Sequence, residues 1–130
     1  MQIPVTMNTN VGITGLTAID DIYTIDNDTH YTDWVNVQDS LNKSIFISVS
    51  DKTAGNIVCQ LQFSHDGVTA FDADGTNTFT ISANGDYVYT SMSNSLSLPP
   101  LGDYTPFMRL KIVSAPTTAG IKIKFVGIDA

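Results

Sequence analysis

The sequence predicts an all-β chain: a single antiparallel β-sandwich of about eight strands, jelly-roll-like in layout, with an extended N-terminal arm. Three observations carry this expectation. All 13 acidic residues are aspartate and none is glutamate, while threonine, serine and asparagine abound. Asp, Asn, Ser and Thr compete with helix hydrogen bonds and settle in turns and strands, whereas glutamate favours helices. Apolar and polar residues alternate over short runs separated by turn signatures, and no run shows the 3.6-residue period of an amphipathic helix.

Taken in order, residues 1–18 are polar, Thr-rich and broken by Pro4, Gly12 and Gly15. They read as an extended arm or a first irregular strand rather than a core element, ahead of a sandwich domain over 19–130. Ile22-Tyr23-Thr24-Ile25 is a short β-branched strand, Asp26-Asn27-Asp28 a turn, and Tyr31 to Gln38 a strand with Val35 and Val37 on one face. Ile45, Ile47 and Val49 alternate with Phe46, Ser48 and Ser50; a turn at Asp51-Lys52-Thr53-Ala54-Gly55 follows. The clearest alternation sets Ile57, Cys59, Leu61 and Phe63 against Val58, Gln60, Gln62 and Ser64, and His65-Asp66-Gly67 closes it with a turn. Strands at Thr78–Ser82 and Asp86–Met92 flank Ala83-Asn84-Gly85, an Asn-Gly hairpin signal. Leu96-Ser97-Leu98 is a candidate short strand and Pro99-Pro100-Leu101-Gly102 a loop. Pro106 cannot donate a ladder hydrogen bond, so the next strand is confined to Phe107–Ser114. Ala115–Gly120 then turns the chain into a last strand, Ile121–Ile128. The Cys-Trp-Cys pattern of immunoglobulin domains is absent, which favours a jelly-roll layout.

At 130 residues the chain is long enough for one domain with its own core. A hydrophobic content of 42% with 15% charged residues fits a folded chain. Cys59 is the single cysteine, so no internal disulfide forms. Met1 to Val5 lacks the basic start and apolar run of a signal peptide, and no apolar stretch reaches membrane-spanning length, predicting a protein made and used without Sec export or a membrane. The net charge of −7 argues against nucleic-acid binding, which needs a basic surface. The charge is also segregated. Residues 1–42 carry six aspartates (Asp20, Asp21, Asp26, Asp28, Asp33, Asp39) and no lysine or arginine.

No motif dictates a chemistry, so no catalytic residue, cofactor or enzymatic activity is expected. His65-Asp66 names a base and an acid, but neighbouring strand residues point to opposite faces and the Asp-Gly pair already explains a turn. Asp72, Asp74 and Asn77 offer oxygen ligands of the kind calcium takes, yet the spacing is not that of an EF-hand; a solvated loop is the expectation, as for Asp26–Asp28. Cys59 falls in phase with Ile57 and Leu61 and reads as core. Tyr87 and Tyr89 share a strand face, and Trp34, Tyr31 and Tyr23 lie earlier. An exposed aromatic row is how sandwiches stack sugar rings; the competing reading packs Tyr87 and Tyr89 between the sheets. Finally, if the last two strands pair, Arg109, Lys111, Lys122 and Lys124 gather on one outer face, either a partner-binding patch or an ordinary solvated face with basic gatekeepers. Its complement would be the acidic segment with Asp20, Asp21, Asp26 and Asp28.

The stretch Leu61-Gln62-Phe63-Ser64-His65-Asp66-Gly67-Val68-Thr69-Ala70-Phe71 ends a strand in Ser-x-Asp-Gly, with an aromatic four residues on. With Gly85-Asp86-Tyr87-Val88-Tyr89 and Phe107-Met108-Arg109-Leu110-Lys111-Ile112, it resembles small virion proteins of tailed phages over residues 43–128: capsid decoration or cement proteins, head fibres and tail components. The resemblance implies a structural virion protein, made in the host cytoplasm, that binds the major capsid protein or other virion proteins and stabilises the shell. A homo-oligomer is expected with it, a trimer favoured over a dimer. The alternative is a carbohydrate- or receptor-binding module of a fibre or tail adhesin, which an exposed aromatic strip would favour.

Overall fold

The computed structural model describes residues 5–38, 40, 42–72, 78–90, 106–114 and 118–128. Among these, eleven strands and no helix occur: β1 Val5–Asn10, β2 Tyr23–Ile25, β3 His30–Tyr31, β4 Val35–Asn36, β5 Asn42–Ser50, β6 Ile57–Ser64, β7 Phe71–Asp72, β8 Thr78–Ile81, β9 Gly85–Thr90, β10 Phe107–Ser114 and β11 Ala119–Ile128. They form two antiparallel sheets. The first runs β1-β11-β5-β9, with β2 also on β11; the second runs β3-β10-β6-β7, with β4 also on β10 and β8 on β6. The chain is a β-sandwich.

Period-two alternation explains why two layers form. Ile45, Ile47 and Val49 of β5 and Ile121, Ile123 and Phe125 of β11 turn one face of the first sheet inward. Ile57, Cys59 and Leu61 of β6, Met108, Leu110 and Ile112 of β10, and Phe79 and Ile81 of β8 meet them from the second. Each fully buried Ile, Leu or Phe stabilises the fold by about 1.5–3 kcal/mol relative to exposure.

Three expectations about connectivity change. Residues 5–18 are built into the sandwich: β1 is an edge strand on β11, and Val11 and Ile13 join the core. The Asn84-Gly85 turn does not close a hairpin, because β8 pairs with β6 in one sheet and β9 with β5 in the other. Likewise β10 and β11 do not pair: β10 lies against β6 over Phe107–Ser114, and β11 against β5 over Gly120–Ile128. The physical reason is common to the last two. Alternation fixes which side of a strand faces the core but not which strand lies beside it. Tyr31 to Gln38 also divides into β3 and β4 around a bend at Thr32–Trp34. The candidate strand Leu96–Leu98 and the loop Pro99–Gly102 lie outside the described residues.

Candidate ligand-binding face

The outer face of the second sheet is built by register. In β10 the residues between Met108, Leu110 and Ile112 point outward, which places Arg109 and Lys111 there. In β6 the outward positions are Gln60 and Gln62. Pairing sets Arg109 opposite Gln62 and Gln62 opposite Asp72; one row on, Tyr31, Lys111, Gln60 and Thr78 lie side by side. The bend between β3 and β4 brings Trp34 to the same place.

Arg109 is the hub of this face. Its guanidinium carbon lies 4.5 Å from the Tyr31 ring centroid and 4.3 Å from that of Trp34, within cation–π range of both. Its Nε donates to Gln62 Oε1 at 2.8 Å, and Gln62 Nε2 donates to Asp72 Oδ1 at 2.9 Å. Gln60 Nε2 donates to the Leu61 carbonyl at 3.0 Å. The two glutamines are only 7% and 6% exposed although they face away from the core. Neighbouring side chains therefore cover them, and the row Arg109–Gln62–Asp72 is laid across the sheet as a fixed chain. Partial burial holds the Arg109 guanidinium below its ordinary pKa range, with Tyr31 opposing the shift. Lys111 Nζ approaches the Tyr31 ring to 5.9 Å.

The bend carrying the aromatics is held from beneath. The Thr32 amide donates to the Leu110 carbonyl, and Thr32 Oγ1 accepts from the Leu110 amide, each at 2.9 Å. The Asp33 amide donates to the Gly12 carbonyl at 2.8 Å, and Thr14 Oγ1 donates to Asp33 Oδ1 at 3.0 Å. A Cβ on Gly12 would come within 2.6 Å of Asp33 Oδ2 and 3.3 Å of the Tyr23 hydroxyl, so a side chain here would push the Asp33 carboxylate aside.

The ion pairs among the described residues are His30 with Asp26 at 2.9 Å and His65 with Asp66 at 3.9 Å. Neither uses a lysine or arginine, so Arg109 meets rings and an amide but no described carboxylate. The other basic pair stands elsewhere. Lys122 and Lys124 project from the outer face of the first sheet, opposite Ser48 and Phe46. The four basic residues therefore form two pairs on opposite faces of the molecule.

The remaining candidates fall as follows. Asp20 and Asp21 form a tight exposed turn between Ile19 and Ile22, at φ values of 52° and 65°. Asp26 accepts from the Asp28 amide at 3.0 Å and from His30 at 2.9 Å, which hold its carboxyl below the usual range. Asp28 is exposed. Asp66 accepts from the Thr69 and Val68 amides at 2.7 and 2.8 Å and from Ser64 Oγ at 2.9 Å, and these bonds push its pKa far down. It organises a loop, as the Asp-Gly pair implied. Burial pushes the Cys59 thiol up to about 12. Tyr87 packs against the core and donates its hydroxyl to the Ala83 carbonyl at 2.7 Å. Asp72 is held by Gln62, while Asp74, Asn77 and the Tyr89 side chain lie outside the described residues. No group of three or more His, Cys, Asp or Glu among the described residues could hold a metal ion.

Sequence reasoning named Arg109, Lys111, Tyr31 and Trp34 but in separate groups, and it missed Gln60, Gln62 and Asp72 as one surface. The available signal was two glutamines at alternate positions of the most regular strand.

No family model and no curated protein matches the chain. Among solved structures it is similar to a CBM4 structure, with 14% identity, a TM-score of 0.48, and coverage of 92% of this chain and 78% of that one. It is similar also to the enzymatically active domain of tailspike protein 4 of bacteriophage CBA120, at 12% identity and a TM-score of 0.47, covering 95% of this chain and 19% of the other. A third similarity is to the catalytic domain of a GH87 alpha-1,3-glucanase in complex with nigerose, at 13% identity and a TM-score of 0.42, covering 99% of this chain and 29% of that one.

Proposed function

We propose that this chain is a non-catalytic carbohydrate- or receptor-binding β-sandwich module, of the kind a phage fibre or tail adhesin carries, with the outer face of the second sheet as its ligand face. The observation that carries this reading is the Arg109 cluster. Two aromatic rings and a buried amide hold one guanidinium in place on an outward surface. Rings supply apolar faces for sugar C–H groups, while amide and guanidinium supply directional hydrogen bonds, which is the composition of a polar-ligand site. The strand order supports a jelly-roll assignment when β1 with β2, β3 with β4 and β7 with β8 are counted as interrupted single strands. Jelly rolls serve both capsids and lectins, so the wiring leaves function to the site. A glycan array probed with the purified chain tests the reading. Binding that Trp34→Ala weakens at least tenfold is the expected result; binding unchanged by that substitution would move the site elsewhere.

A second reading, capsid decoration, is favoured by one observation. Lys124 lies beside Phe46, whose side chain is 42% exposed, on the outer face of the first sheet. A basic row next to exposed apolar surface suits docking onto a larger partner, with trimerisation around it. Reversing Lys122 and Lys124 to glutamate would then weaken attachment to capsid shells at low salt with the fold intact. Attachment indifferent to both the reversals and ionic strength rejects it.

A further inference from the structure

We infer that the ligand face selects saccharides bearing carboxylates, such as uronic-acid polymers; this rests on the saccharide-binding reading and narrows it. Among the described residues, Arg109 has spent one donor, Nε, on Gln62, and no hydrogen bond or ion pair takes its terminal Nη groups. Partial burial raises the cost of leaving such a charge uncompensated, and a carboxylate is the planar, two-oxygen partner that fits a guanidinium fork. The donor is also pre-aimed. Tyr31 and Trp34 lie within 4.5 and 4.3 Å of the guanidinium carbon, and Gln62, which takes its Nε–H, is itself anchored to Asp72. Little side-chain freedom remains to be lost on binding.

Charge on the face points the same way. Lys111 stands two residues along the same strand, roughly 7 Å away by strand geometry, and meets Tyr31 without a described counter-ion. The acidic group in these rows, Asp72, is turned to Gln62 at the sheet edge. In a chain of net charge −7 the general field repels polyanions, so acceptance of one depends on a local exception of this kind.

The test is calorimetric titration of the full chain with polygalacturonate, the same polymer after carboxyl reduction to neutral sugar, and dextran sulfate. Polygalacturonate should bind, more weakly as salt is raised, and the reduced polymer at least tenfold more weakly. Arg109→Gln should lose at least tenfold, while Arg109→Lys, which keeps charge and packing but not the fork, should lose a smaller part. Thermal melts of both variants report whether the fold survives, and Lys111→Gln gives an independent, smaller loss if Arg109→Gln does not fold. Equal binding of native and reduced polymers overturns the carboxylate inference and leaves saccharide binding standing. Equal binding of dextran sulfate overturns it too, in favour of general polyanion attraction. Binding of no saccharide overturns both readings.

Discussion

Asp66 accepts two backbone amides and the Ser64 hydroxyl in one short loop, so its ionised form is favoured by the fold far more than by the unfolded chain. A carboxyl with a depressed native pKa contributes stability that is fully present above its unfolded value of about 3.9 and is lost as pH falls toward the native value. Asp66→Ala should therefore lower the melting temperature at pH 7, and its difference from the parent chain should shrink below about pH 4. A difference independent of pH would place the stabilisation outside the carboxylate. Cys59 makes the opposite case. With its pKa pushed up to about 12 and its side chain buried, it carries almost no thiolate, the reactive species. A thiol reagent at pH 8 should leave it unmodified until denaturant is added; rapid labelling of the folded chain would contradict its core position. Both residues were legible in the sequence, one from an Asp-Gly turn and one from its phase with Ile57 and Leu61. Gln62 was not, because a glutamine on an outward strand position looks the same whether it is solvated or clamped between Arg109 and Asp72.

Strands were more legible than their neighbours. The alternation in β5, β6, β10 and β11 appears in the structure at nearly the expected residues, since each face is decided by local pattern. Partner choice is decided by packing across the whole sandwich, and the Asn84-Gly85 turn shows the limit: Gly85, at φ 148°, carries the chain from one sheet to the other. Turns also supply tests. Asp20 and Asp21 both occupy the left-handed region, where hairpin turns of this geometry prefer Asn-Gly. Asp21→Gly should raise stability by about 0.5 kcal/mol, the relief of left-handed strain exceeding the entropy glycine adds; a lower melting temperature would contradict that turn geometry. At the opposite edge, Gly127 lies where a Cβ would come within 2.0 Å of Ser40 Oγ and 3.1 Å of Thr6 Oγ1. Gly127→Ala should cost about 1–3 kcal/mol by overpacking the seam that seats β1, measurable in a urea melt.

The molecule as a whole separates its two basic pairs by the thickness of the sandwich, which changes what the acidic N-terminal segment can complement. Asp20 and Asp21 sit on an exposed hairpin tip beside Ile19, which is 78% exposed, rather than against either basic pair. Charge segregation along the chain was legible from residue order; its segregation across two faces was not, because it depends on β10 and β11 lying in different sheets. Chelation of divalent ions should leave the melting temperature nearly unchanged, whereas a large drop would assign an ion to Asp72, Asp74 and Asn77 or to the Asp26–Asp28 turn. If the outer face of β10 and β6 takes the ligand, Trp34 senses it at first hand. The chain has one tryptophan, and its ring stands over the Arg109 guanidinium at 4.3 Å, so its emission reports this face alone. Titration with a saccharide that calorimetry shows to bind should shift or quench Trp34 emission with the calorimetric midpoint and shield it from acrylamide. Saturable binding that leaves Trp34 emission and acrylamide access unchanged would place the ligand on another surface.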